Sequence, residues 1–224
     1  EGRGFDPRPG HQPFTLPMTS RHAAGARRVG SASPVAPTSR VTTWWAALLT
    51  LSCVLTYWNS LWGPFILDDR SAIAGNAAIR NWRSLTDLLF SASNSSAAGR
   101  PLVNLSLAIN YAIGGLAVEG YHAWNIGVHL LCALLLAGVV RRTLELPRVG
   151  PIFGERAVHV AFAAALIWML HPLNSEVVDY VVQRTESMMA LAYLLTLYGS
   201  IRAVSSTHVA GWQAVALLSC ALGM

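Results

Sequence analysis

The sequence predicts an all-α, polytopic helical membrane protein, and three observations carry that prediction. Apolar residues fill 53% of its 224 positions against 12% charged, with a mean hydropathy of +0.42. They come in blocks long enough to cross a bilayer, not in the short alternating runs of half-buried strands. All sixteen basic residues are arginine, and most sit in the first forty positions or after the second long apolar block, where charge sets topology. The net charge of +5 is therefore read as orientation, not as a nucleic-acid footprint. Cys53, Cys132 and Cys220 lie inside apolar blocks without metal-ligand spacing and read as packing residues.

Residues 1 to 40 are rich in Pro, Gly, Ser and Arg and lack apolar periodicity, so they are expected to form a disordered tail, cytoplasmic by its arginines. A first span follows at about 42–62, with Trp44, Trp45, Trp58 and Trp62 near its two ends as in an interfacial aromatic belt. The next segment, 63–120, is long for a loop in so apolar a chain, and such loops are usually functional. Two interfacial helices are expected within it. One begins at the Asn81 cap and gathers Trp82, Leu85, Leu88 and Leu89 on one side. The other starts at Pro101 and repeats Leu102, Leu105, Ile109, Ala112 and Leu116 at spacings of three and four.

A second span is expected at about 122–140, closed by Arg141-Arg142, and a third at about 157–170, stopped by His171-Pro172. A polar helix of one to three turns (Asn174 to Glu186) then leads to a fourth span at about 188–203 and a fifth at 209–224. The loops 63–120 and 171–187 thus share the outer face. The chain opens on Glu1, offers Met18 as a more natural start and ends inside an apolar run, so it reads as the N-terminal part of a longer protein. Its arginine-only basic set and abundant Ala and Leu point to a high-GC bacterial source, hence a bacterial inner membrane.

The candidate chemistry lies at span ends. Asp68 and Asp69 are bracketed by Phe65, Ile66, Leu67 and Ile73, so burial and mutual repulsion are expected to raise at least one carboxyl toward the range useful for a general base. The other reading is a helix cap or a solvated pair. Glu176, Asp179, Gln183 and Glu186 recur on one helical side, either as a solvated face or as a second wall of a site. His122, Asn125 and His129 form one stripe at i, i+3 and i+7. Polar residues at such depth face the bundle interior. His122 is the better ligand candidate and His129 the better packing histidine, while His171 either caps its loop or binds ligand. Arg100 and Arg184 supply guanidinium groups on the same face. An acid pair with arginines at a bilayer surface suits transfer from a lipid phosphate, the acid activating a hydroxyl and the arginine holding the phosphate.

The ordered set Phe65-x-Leu67-Asp68-Asp69, Asn76, Arg100-Pro101-Leu102, Ser106, Asn110-Tyr111, Gly120-Tyr121-His122, Asn125, His129-Leu130-Leu131, His171-Pro172, Glu176-x-Val178 and Arg184-x-Glu186 resembles the membrane region of the transmembrane and tetratricopeptide-repeat O-mannosyltransferases. The resemblance implies a GT-C-like fold at 41–224, incomplete here, and a glycosyltransferase. It would move a sugar, mannose or a similar hexose, from a polyprenyl-phosphate carrier to a protein hydroxyl on the non-cytoplasmic side, with inversion. It assigns Asp68 and Asp69 to catalysis and Arg100, His122, His171, Glu176 and Arg184 to the donor phosphate and sugar. No cofactor or metal site is implied, with a divalent cation left open; the expected partners are the lipid-linked sugar, an acceptor protein and the bilayer. The family's repeats are absent from these residues, so activity is not expected of them alone. The rival reading is an inactive membrane anchor for a repeat domain. A transporter would place its acids at the bilayer midplane instead.

Overall fold

A computed structural model of the chain describes residues 39–80 and 100–223, and every regular element among them is helical. The all-α expectation holds. The expected disordered tail, up to residue 38, and the expected interfacial helix at 81–89 lie outside the described residues.

Helix α1 (Ser39–Tyr57) continues into a 3-10 turn, Trp58–Trp62. Helices α2 (Pro101–Gly114), α3 (Val118–Leu144), α4 (Ala157–Met169), α5 (Arg184–Ser205) and α6 (Val209–Gly223) follow. With their flanking turns, α1, α3, α4 and α5 are each long and apolar enough to cross a membrane. These are the first four expected spans, with α3 starting four residues earlier than expected and carrying Tyr121 and His122 within the helix. The fifth, α6, has fifteen described residues, about 22 Å at helical rise, against the ~20 residues a perpendicular span takes.

Local chemistry explains the boundaries. Pro101 occupies the first turn of α2, where its missing N–H costs nothing, and Gly115 ends that helix at φ 61, a left-handed value that glycine adopts freely. At the end of α3, Arg141 and Arg142 complement the helix dipole, and Arg141 closes an i, i+4 ion pair with Glu145 at 2.7 Å. Pro172 holds His171 extended (φ −66, ψ 129) and stops α4.

Helix α3 is the central element, packed by α1, α4 and α5. One apolar cluster inside this bundle joins Leu49, Cys53 and Tyr57 of α1 to Ala133, Ala165, Met169 and Val178. A second lies at the end where α1 stops and α3 begins, hereafter the loop end. It gathers Ala72, Ile73 and Ile79 from the first long loop, Val103 and Leu107 from α2, Tyr121, and Val181 and Val182. The two loops thus share one core before any polar contact is counted.

Helix α2 turns Asn104, Ser106 and Asn110 inward and leaves Ile109 and Ile113 exposed, while Leu116, expected to continue it, lies beyond its end. Its polar residues serve the protein interior, and its outward side is apolar, as suits a helix lying against lipid.

Helices α5 and α6 form the closest pair. A Cβ on Gly199 would meet the Trp212 carbonyl oxygen at 3.1 Å and the Ala216 nitrogen at 3.2 Å. Both are backbone atoms that cannot swing aside, as at other small-residue helix crossings. Gly199→Leu is therefore expected to cost about 1–3 kcal/mol through overpacking, whereas Gly211→Ala, with nothing within 4 Å, loses no stability. Thermal unfolding of both variants in lipid nanodiscs checks this.

Candidate functional site

The chain leaves α1 through Gly63 and Pro64 and makes a tight turn into the acid pair. Leu67, immediately before the pair, has φ 43, a left-handed conformation that costs a leucine about 1–2 kcal/mol. The turn aims the Asp69 carboxylate at two backbone donors. Its Oδ2 accepts from Ile66 N–H at 3.2 Å and its Oδ1 from Val182 N–H at 2.8 Å. The second bond joins the two loops across 113 residues. A single π-helical turn, Arg70–Ala74, follows, a geometry that recurs at functional sites.

The acid pair divides by burial. Asp69 is 0% exposed and Asp68 is exposed, so only one member of the pair is held against apolar surface. Burial raises the Asp69 carboxyl above the ordinary aspartate range, while the N–H groups of Ile66 and Val182 pull it partly back. Asp68 donates its own N–H to the Tyr180 hydroxyl at 3.1 Å, and its exposed side chain lies beside the same hydroxyl.

The second loop carries one turn of the polar helix expected between Asn174 and Glu186, with 3-10 turns on either side. It is a 3-10 turn at Pro172–Asn174, a helical turn at Glu176–Asp179 and another 3-10 turn at Val181–Gln183, interrupted at Tyr180 (φ −99, ψ 109). The reason lies across the site: extended backbone at Tyr180 sends the Val182 N–H to Asp69 instead of up the helix. Glu176 and Gln183 still meet, with Gln183 Nε2 donating to Glu176 Oε1 at 3.1 Å. Ser60, at the end of α1, donates to the carboxylate of Asp179.

Underneath, α3 stitches both loops. His122, 0% exposed, sets Nε2 at 3.0 Å from the Gly63 carbonyl and Nδ1 at 3.5 Å from that of Val178. Gly63 lacks a Cβ that would approach Nε2 at 3.3 Å. One turn deeper, the Asn125 amide nitrogen faces the carbonyls of Val177 and Val181, each at 3.3 Å. Its oxygen accepts from Arg184 Nε at 2.9 Å. Arg184 also donates to Ser106 Oγ and to the Tyr121 carbonyl, each at 3.1 Å, and is wholly buried. His129 donates its Nε2–H to the Met169 carbonyl, 3.0 Å away, and stacks on Trp168.

Of the residues predicted for the site, Asp68, Asp69, His122, Glu176 and Arg184 belong to these linked segments. Asp68, Glu176, His171 and Arg100 are exposed. His171 accepts from Leu173 N–H at 3.3 Å, so its capping role is realised. Arg100 heads α2. His122 and Arg184 are enclosed and bonded to protein groups, an arrangement for holding the loops rather than for touching a substrate. Tyr180 and Ser60 were not singled out by pattern. Tyr180 sits in a Val-rich stretch and Ser60 in an aromatic one, and only the fold brings each to an acid. No group of three His, Cys, Asp or Glu side chains stands together to hold a metal ion among the described residues.

No protein-family model matches the chain, and no solved structure matches it. Curated relatives do. The chain is 33% identical over 147 residues to protein O-mannosyl-transferase Tmtc1 of Drosophila melanogaster, covering 62% of this chain and 16% of that protein. It is 30% identical over 198 residues to human protein O-mannosyl-transferase TMTC4, covering 79% and 26%. It is 31% identical over 175 residues to human TMTC1, covering 74% and 19%. The chain thus spans about a quarter or less of the length of these relatives.

The clamp makes a pH-dependent prediction. The folded state holds the Asp69 proton above the pH at which an unfolded aspartate (pKa about 3.9) releases it. This contribution to stability is full below about pH 4 and is lost as pH rises through the raised value. Asp69→Asn removes that slope. It also turns an amide N–H₂ toward the Ile66 or Val182 N–H, at a cost of about 1–3 kcal/mol for the unpaired donor. Melting curves of wild type and variant across a pH series read both effects.

Proposed function

We propose, for a chain that belongs to the transmembrane and tetratricopeptide-repeat O-mannosyltransferase family, that its loop end forms part of the active site of a GT-C-type membrane glycosyltransferase. The observation that carries this reading is the division of the acid pair, one carboxylate buried as a clamp and its neighbour exposed beside the same two loops. Asp69 positions the turn and Asp68 acts as general base. Its carboxylate takes the proton from a Ser or Thr hydroxyl of an acceptor protein. The freed oxygen attacks the anomeric carbon of a mannose or similar hexose carried on polyprenyl phosphate. The bond from that carbon to the phosphate oxygen breaks with inversion, and the phosphate leaves on its lipid, its charge met by Arg100. Exposed His171 and Glu176 line the sugar, while His122 and Arg184 act as positioning residues.

A cavity of about 430 Å³ beside the second loop supports a lipid-borne donor. Trp168, Val177, Met189 and Tyr193 line it, with Glu186 at the same cleft, and Met189 and Tyr193 are 49% and 64% exposed, on a side open to bilayer. The topology that fits puts this end on the non-cytoplasmic face of a bacterial inner membrane, because the opposite end carries the arginine-rich loop.

In the whole protein, Asp68→Asn is expected to reduce transfer from polyprenyl-phosphate mannose by roughly 10²–10⁴-fold, the range for loss of a general base. Membrane insertion and melting temperature stay unchanged. Transfer of radiolabelled sugar to an acceptor protein in isolated membranes measures it. Full transfer in both Asp68→Asn and Asp69→Asn would favour the other reading, an inactive anchor that presents a repeat domain.

A further inference from the structure

The opposite end of the bundle holds a second concave feature. Helices α1, α3, α4 and α5 enclose a cleft of about 170 Å³, walled by apolar side chains such as Leu49, Leu134 and Phe162 and bordered by Thr42, Arg141, Arg142 and Tyr198. Its polar groups are nearly all donors. Arg141 reaches Thr42 Oγ1 at 3.0 Å and Glu145 at 2.7 Å, so its one nearby carboxylate is engaged. Arg142 touches the Tyr198 hydroxyl through Nε at 3.4 Å and lies 5.7 Å from that ring's centroid. Its two terminal nitrogens meet no acceptor among the described residues.

The half-buried Arg142 leaves its terminal N–H groups available beside an apolar cleft. Two guanidinium groups bordering one cleft fit an anion with several acceptor oxygens. The surrounding charge has the same sign, with Arg148, Arg156 and Arg202 nearby in sequence against Glu145 and Glu155. The apolar walls are built from membrane-spanning helices, so a free ion would leave them bare. A phosphate carrying a hydrocarbon tail satisfies both parts.

We infer that this cleft binds the phosphate head group of an anionic bilayer lipid, with the start of one acyl chain against Leu49, Leu134 and Phe162. The phosphate oxygens accept from the terminal nitrogens of Arg142, and Arg141 adds charge from the Thr42 side. Basic pockets between spans are known devices for holding anionic lipids. The site is separate from the acid pair, at the other end of α1, α3, α4 and α5, so it ties the bundle to its membrane without entering the chemistry.

The test places the purified protein in phosphatidylcholine nanodiscs containing a minority of phosphatidylglycerol and measures retained lipid by mass spectrometry after detergent extraction. Wild type is expected to retain phosphatidylglycerol selectively. Arg142→Gln weakens retention roughly five- to tenfold, the effect of about 1 kcal/mol or slightly more per arginine, and Arg142→Lys keeps most of it. Ala46→Trp, which fills the cleft without changing charge, abolishes it. The double variant Arg148→Gln, Arg156→Gln removes two charges of the same loop outside the cleft and leaves retention intact. Equal loss in that double variant would mean a diffuse surface field and would overturn the site, as would retention in Ala46→Trp. Displacement of the lipid by inorganic phosphate alone would overturn the lipid assignment.

Discussion

The buried guanidinium of Arg184 is the constraint on which the loop end depends. A cation enclosed in protein is costly unless its donors are met, and here Asn125, Ser106 and the Tyr121 carbonyl meet three of its nitrogens. Those partners come from α3 and α2, so one side chain at the head of α5 holds three helices in register. Tyr121 and Trp124 add their ring faces, with centroids 5.9 and 5.5 Å away. Once Arg184 is seated, Val181 and Val182 are carried into the second apolar cluster, and the Val182 N–H comes within reach of Asp69.

From this seat follows a division of labour within two consecutive residues. Adjacent side chains on a turn point different ways, so Asp69 goes inward to backbone donors and Asp68 remains outward. A buried carboxylate with two N–H partners is a good strut, and its full enclosure keeps it away from a substrate's proton. An exposed carboxylate on a turn held by such a strut has both reach and fixed position, the combination a general base needs. Leu67 carries a local backbone cost in the same turn, which the surrounding contacts must offset.

Membrane burial changes the meaning of the polar residues on α3. In water, His122, Asn125 and His129 would be unremarkable. Inside a bundle that faces lipid, each must find a protein partner. The partners they find are carbonyls at loop and helix ends: Gly63, Val177, Val178, Val181 and Met169. Helix ends supply unpaired carbonyls, so a polar stripe down the central helix naturally collects the ends of its neighbours. The loop end is thus shaped by hydrogen-bond bookkeeping more than by loop sequence.

Spans, their order and the inward face of the His122, Asn125 and His129 stripe were legible in the sequence, because partition between lipid and water acts on each residue and its near neighbours. So were the stop at Pro172, where one residue's dihedral preference is enough, and the family resemblance, carried by ordered motifs. The sequence pattern also marked Asp68 and Asp69 together but had no means of separating them. It read a helix of one to three turns between Asn174 and Glu186 without the break at Tyr180, because periodicity cannot register an N–H drawn away to a carboxylate 113 residues distant. The enclosure of Arg184 and His122, the use of Tyr180 and the cleft beside Arg142 were likewise decided by tertiary packing. Each depends on a partner brought from elsewhere in the chain, and burial, which sets whether a charge holds the fold or meets a substrate, exists only once those partners are assembled.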